Sequence, residues 1–255
     1  MRLIDTHAHL DFDDYNQDRE EVFNRARKIG VEKIVNIGAD LEGSQRAVEL
    51  AEKHDYVFAS VGIHPHEADT VNEQSLAKIK ALAGSLKVKA IGECGLDFYY
   101  DNSPREIQKD AFRKQLKLAL ELKLPVIVHS REAAAETLEI IDQTGDFAEN
   151  LIFHCYAYGP DEIEEIIKRD YYVAFGGLIT FNSAQPIREA LKKMPLNRIL
   201  LETDAPYLTP APKRGKRNEP AYLEHILKKA AEIKEISFEE MGRITTENAE
   251  RIYNF

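Results

Sequence analysis

Near the start of the chain, Ile4-Asp5-Thr6-His7-Ala8-His9 places two histidines one residue apart, after a short apolar run. Residues i and i+2 of an extended strand point to the same side, so both imidazoles can face one metal ion. Alone, the pair is a weak signal. Further polar residues follow other apolar runs: His64 after Gly62-Ile63, Glu93 after Ile91-Gly92, His129 after Val126-Ile127-Val128, His154 after Ile152-Phe153, and Asp204 just beyond the run that ends at Glu202. Each has a bland reading on its own. His129 and His154 fit hydrogen-bonded core histidines, Glu93 a buried partner for an arginine, and Asp204 a cap for the turn before Pro206. Taken together, these groups would carry a desolvation penalty unless paired, and the nearby sequence supplies too few cations to pair them. Metal ions supply the missing positive charge.

Four histidines with Glu93 and Asp204 exceed what one tetrahedral catalytic zinc takes, which is three protein ligands and a water. Two ions sharing a bridging carboxylate, about 3.5 to 4 Å apart, fit the set better. Glu93 is then the bridge. His7, His9 and Asp204 complete one site, and His129 and His154 the other. His64 falls outside this ligand set.

The elements that must position these residues recur as a rhythm. Short apolar, β-branched runs occur at Leu3-Asp5, Lys33-Ile37, Val57-Gly62, Val88-Gly92, Pro125-His129, Leu151-His154, Tyr172-Phe175 and Ile199-Glu202. Their spacing is close to the ~30 residues of a βαβ unit. Nearly continuous hydrophobic strands are buried on both faces, as parallel strands are. Between them lie helical periods such as Val22, Phe23, Ala26 and Ile29, and Phe112, Leu116, Ala119 and Leu120. Two more helices are expected after the last strand, Ala221 to Glu235 and Phe238 to Tyr253, with Ser237 and Glu240 as a capping box for the second. Eight strands predict a closed (β/α)8 TIM barrel, whose active site is built at the C-terminal ends of the strands. An open doubly wound sheet would need a glycine-rich phosphate loop after its first strand, and Asp5-Thr6-His7-Ala8-His9 is not one.

A length of 255 residues matches one barrel, so residues 1–255 are expected to form a single domain. With 44% hydrophobic and 31% charged residues the composition is globular. No stretch approaches the ~20 apolar residues of a membrane helix, and no secretory leader is evident, so a cytoplasmic protein without membrane partners is expected. Cys94 and Cys155 each follow a candidate ligand by one position and should face the opposite way, as small buried hydrophobes rather than a disulfide. A net charge of −10 argues against a surface that coats nucleic acid, and leaves room for an enzyme that meets phosphate through metal ions and a local basic loop.

These residues resemble the TatD family of metal-dependent hydrolases, within the amidohydrolase-like barrels. The resemblance rests on Asp5-Thr6-His7-Ala8-His9-Leu10, Gly62-Ile63-His64-Pro65-His66, Gly92-Glu93-Cys94-Gly95-Leu96-Asp97, Val128-His129-Ser130-Arg131, Phe153-His154-Cys155 and Glu202-Thr203-Asp204-Ala205-Pro206-Tyr207-Leu208. Arg214-Gly215-Lys216-Arg217-Asn218-Glu219-Pro220 also looks like the family's loop. The resemblance implies a divalent-metal-dependent hydrolase, with deoxyribonuclease activity and 3'-to-5' exonuclease action on single-stranded DNA; with the two sites counted above, two divalent cations (Mg, Mn or Zn) are expected. It puts the metal ligands at His7, His9, Glu93, His129, His154 and Asp204, the six reached from the strand ends. The chain departs from the family after Cys155. Tyr156-Ala157-Tyr158-Gly159 stands where many members have an aromatic, Ser and Gly, which puts Tyr158 beside the substrate cleft.

Asp204 is the candidate to orient or deprotonate the attacking water. His64 is assigned to the substrate or the leaving oxygen. Arg131, Arg214 and Arg217 are candidate phosphate binders. Against this, Arg131 could serve a structural ion pair, and Lys213 to Arg217 could be a solvated basic loop. A second enzymatic reading keeps the metals and changes the bond to an amide, ester or lactone, including aminoacyl-tRNA deacylation. A metal-storing scaffold needs neither His64 nor Arg131 at an open mouth. No obligate protein partner is evident.

Overall fold

The computed structural model describes residues 1–255. The strands are β1 (Leu3–Ala8), β2 (Val31–Ile37), β3 (Val57–Val61), β4 (Val88–Asp97), β5 (Val126–Arg131), β6 (Leu151–Phe153), β7 (Tyr172–Phe175) and β8 (Ile199–Leu201). The helices are α1 (Arg19–Lys28), α2 (Leu41–Lys53), α3 (Glu73–Leu82), α4 (Arg105–Leu122), α5 (Ala134–Thr144), α6 (Pro160–Lys168), α7 (Gln185–Lys193), α8 (Leu223–Lys234) and α9 (Phe238–Tyr253). The strands follow one another in sequence order around an eight-stranded sheet, with helices alternating between them, the TIM-barrel class expected from the sequence. No helix is long and apolar enough to cross a membrane.

The chain divides into two compact units. The first comprises Met1–Asn36 and Cys155–Phe255. In it β1 pairs with β2 and β7 with β8, all parallel, and an isolated parallel bridge joins Ala8 to Ala205. All six residues of β1 are buried, because a parallel strand is covered on both faces. Helix α9 docks by its apolar stripe, Met241, Ala249, Ile252 and Tyr253, and by Asn248, whose amide donates to the carbonyls of Leu196 and Ile199 at the entry to β8. Ser237 accepts from the Glu240 amide, giving the serine half of the expected box.

The second unit is Ile37–His154. Here β3, β4, β5 and β6 pair in parallel, in that order. Helix α4 packs on them through Ala111, Phe112, Leu116 and Ala119. Two glutamines sit on its buried side, seven residues apart, and each clamps backbone at or just past the end of a strand. Gln115 accepts from the Ile63 amide at 2.8 Å and donates to the Ile63 carbonyl at 2.9 Å. Gln108 accepts from the Asp97 amide at 2.8 Å and donates to the carbonyls of Asp97 and Ser103. Both backbone groups of a strand's end are thus satisfied where the ladder stops. Neither thiol is in a disulfide: Cys94 is buried as expected, whereas Cys155 is only half-buried.

Candidate metal centre

In the first unit, His7 and His9 project from the same side of β1 and its extension, as period-2 geometry requires. Their Nε2 atoms lie 3.3 Å apart, and each is 3.7 Å from Oδ1 of Asp204. At about 2.0–2.1 Å from a tetrahedral ion, two imidazole nitrogens lie ~3.3 Å from one another, so this spacing fits two ligands of one cation. Asp204 is held in the left-handed region, φ 57, which Asp tolerates better than most residues. Its amide donates to the His7 carbonyl, and its own carbonyl accepts from Tyr207, which fixes the turn beside the histidines.

Beneath this cluster lies Asp5, fully buried, accepting from the Thr203 amide at 2.9 Å and the Thr203 hydroxyl at 2.6 Å. Burial pushes its carboxyl up to about 7 against the pull of those hydrogen bonds. Asn218 reinforces the same turn by donating to the carbonyls of Thr203 and Tyr207.

The second cluster is centred on Glu93. Its Oε1 lies 2.8 Å from His129 Nδ1, 2.8 Å from His154 Nε2 and 3.4 Å from His64 Nε2. His129 Nδ1 and His154 Nε2 are 3.3 Å apart, again the spacing of two ligands on one ion. Register explains how the carboxylate meets the imidazole: Gly95, two residues past Glu93, pairs with His129. Gly95 has φ +147, and a Cβ there would come within 1.9 Å of the His129 carbonyl oxygen, so only glycine lets β4 lie this close to β5. Burial works against the charge on Glu93, yet the imidazoles of His154, His64 and His129 hold its pKa well below the usual carboxylate range.

His129 turns its other nitrogen, Nε2, to Asp97 Oδ2 at 3.0 Å. A carboxylate on the far nitrogen holds the ring and favours a proton on Nε2, which would leave Nδ1 free to offer its lone pair to a metal ion. Asp97 also faces His66 Nε2 at 3.1 Å and accepts from the amides of Tyr99 and Tyr100. Burial raises its pKa, but the bonds from His129, Tyr100 and His66 outweigh burial and keep it ionised. Asp97 is not among the residues expected at the site from the sequence. The signal was present, since Asp97 lies four residues after Glu93 and so on the same face of one strand.

His64 is not among the ligands expected from the sequence, and the structure brings it against Glu93. Its Nδ1 accepts from the His66 amide at 3.1 Å, so the proton sits on Nε2, the atom facing Glu93. Burial first, then the charge of His129, lowers its pKa to about 4, so it is neutral at pH 7 and offers an N–H.

The arginines divide. Arg131 lies with its guanidinium 4.1 Å above the ring of Tyr99 and 4.8 Å above that of Tyr100, stacked on aromatics rather than paired with a carboxylate. Arg217 is engaged with both oxygens of Asp18, at 2.9 and 2.7 Å, and with the Asp14 carbonyl. Arg214 is exposed, stacks on Phe181 at 3.9 Å and donates to the Thr209 carbonyl. Tyr158 is half-buried, its ring 5.8 Å from that of Tyr156.

Residues 4–254 match a family model described as TatD related DNase. The chain is 45% identical over 251 residues, 98% of both chains, to the uncharacterised metal-dependent hydrolase YabD of Bacillus subtilis (strain 168). It is 37% identical, over 98% of this chain and 97% of the relative, to the 3'-5' ssDNA/RNA exonuclease TatD of Cronobacter sakazakii. Among solved structures, YjjV, a TatD homologue from Escherichia coli K12, superposes with a TM-score of 0.94 at 30% identity, covering 100% of this chain and 98% of that one.

Proposed function

The chain belongs to the TatD family of metal-dependent hydrolases, and from that premise we propose that it is a divalent-metal-dependent deoxyribonuclease that removes nucleotides from the 3' end of single-stranded DNA. One observation carries the reading: in each of the two units a pair of imidazole nitrogens stands 3.3 Å apart beside a shared carboxylate. His7, His9 and Asp204 would hold one ion, and Glu93, His129 and His154 another. When bound, such ions lower the pKa of a coordinated water towards ~7 and neutralise charge on phosphoryl oxygens. Both clusters mix imidazole and carboxylate donors, a set open to Mn or Zn as well as Mg.

The chain's own residues supply the remaining roles. Asp204 orients the attacking water and takes its proton. The neutral His64, with its proton on Nε2, donates a hydrogen bond to the leaving oxygen, which takes its proton from solvent. Arg131, free of any carboxylate, binds a non-bridging phosphate oxygen, and Arg214 is exposed enough to reach a more distant phosphate. Arg217 has no such part in this reading, because Asp18 already holds its guanidinium. A single-stranded nucleic acid is favoured over a carbonyl substrate by the exonuclease name of the Cronobacter relative.

The test couples metal analysis to turnover on 3'- and 5'-labelled single-stranded oligonucleotides with Mg, Mn or Zn, beside an ester and amide panel. Two metal equivalents and stepwise shortening from the 3' end are expected, with both Asp204→Asn and Glu93→Ala inactive yet folded. Near wild-type turnover in either variant, or hydrolysis confined to the ester and amide panel, overturns the reading.

A further inference from the structure

Two adjacent tyrosines follow Asp97 in the second unit, and both rings are turned to solvent, Tyr99 54% and Tyr100 55% exposed. Exposed aromatics in sequence are ordinary; these are organised. Their rings meet edge to face at 4.9 Å, and Arg131 covers both. Their backbone amides are fixed by Oδ1 of Asp97, whose Oδ2 is bonded to His129. The loop beyond is pinned by Gln108 and by Ser103, whose hydroxyl donates to the His66 carbonyl. A run of rings leads from His129 and His64 through His66 to Tyr100, with neighbouring centroids 4.3 to 5.5 Å apart. Two half-exposed aromatic rings beside a guanidinium that no carboxylate holds, fixed next to the Glu93 cluster, form an arrangement that can take an unstacked base and its phosphate.

We propose that Tyr99 and Tyr100, with Arg131, form a stacking platform for unpaired nucleobases of a single-stranded nucleic acid, Arg131 taking the adjoining phosphate. The platform rests on the substrate reading above and goes further, since it names what selects a single strand. Bases in a duplex have their faces covered and cannot lie on it. Stacking is tolerant of base identity because every base has a π-face. The platform therefore binds all four bases and rejects a strand without bases.

The experiment uses the metal-loaded enzyme and two single-stranded oligonucleotides, one complete and one with abasic units at its last two 3' positions. Wild-type enzyme is expected to prefer the complete strand by about tenfold or more in kcat/KM. In the Tyr99→Ala, Tyr100→Ala double variant that preference falls towards one, through KM rather than kcat, and the Tyr→Phe pair restores it. Arg131→Ala raises KM for both strands. Equilibrium binding of a strand carrying 2-aminopurine at its 3' end is the independent readout, its fluorescence quenched on stacking. An indifferent wild type, or a double variant that keeps both preference and quench, overturns the platform. Quench without cleavage of DNA by the wild type rejects the deoxyribonuclease reading and leaves the platform standing.

Discussion

At the scale of single residues, Asp97 shows how a group that faces no cation can decide what a ligand does. Its carboxylate holds the Nε2 side of His129, and without it the imidazole is free to present either nitrogen to the cluster. Asp97→Asn is therefore expected to weaken divalent-ion binding at the Glu93 cluster by about 10- to 100-fold. A chelator competition would measure this, with the His7, His9 and Asp204 cluster as internal reference. Equal loss at both clusters would point to a general disturbance instead. The histidines and acids that line both clusters were legible in the sequence because each is a polar residue where an apolar run stops. Asp97, Gln108 and Gln115 were not read, for a physical reason. They act through partners, His129 and the backbone of Ile63 and Asp97, that only strand register and helix packing bring near.

At the scale of elements, all eight strands were legible, since parallel strands buried on both faces leave unbroken apolar runs. Four are longer than the apolar runs alone: β1 continues from Asp5 to Ala8, β4 from Gly92 to Asp97 and β5 from His129 to Arg131, and β2 begins at Val31 rather than Lys33. Polar ligands looked like strand ends, yet the small residues Ala8 and Gly95 let the backbone carry its ladder past them. The basic loop was harder still, because charge along a sequence does not say what it faces. Arg217 ties the loop before α8 to Asp18 at the start of α1, beside Arg25, which grips Glu219 with bonds of 2.6 to 3.1 Å. The Asp18 carboxylate is about a third exposed, so its pair with Arg217 belongs with surface ion pairs, worth at most about 1 kcal/mol. Asp18→Asn should lower Tm by roughly 2–4 °C at pH 7. Arg217, foremost, and Arg25 hold the native Asp18 carboxyl below its ordinary value. The stabilisation is thus present above the unfolded pKa of about 4 and fades as pH falls through the native one. Melting curves of wild type and variant should differ by a constant amount from pH 8 to 5 and converge below about pH 4. A difference that grew on acidification would mean Asp18 is not the ionised partner.

At the scale of the whole molecule, a chain of net charge −10 keeps carboxylates and imidazoles crowded in each of its two units. The folded chain assembles these donors and the unfolded chain does not, so a cation that prefers the assembled sets stabilises the fold by linkage. At a concentration 100 times its Kd, one ion adds about 2.7 kcal/mol, which for a chain of this size raises Tm by roughly 5–10 °C. With two clusters the increments should separate. His7→Ala with His9→Ala is expected to remove one portion of the Mn- or Zn-induced shift, Glu93→Ala the other, and EDTA both. Calorimetry with and without metal measures each portion, while metal content falls from two equivalents to one in either variant. A Tm that ignores Mn and Zn would mean the 3.3 Å imidazole pairs are held by hydrogen bonding alone. A shift abolished whole by either variant would mean that the two sets bind their ions as one cooperative unit.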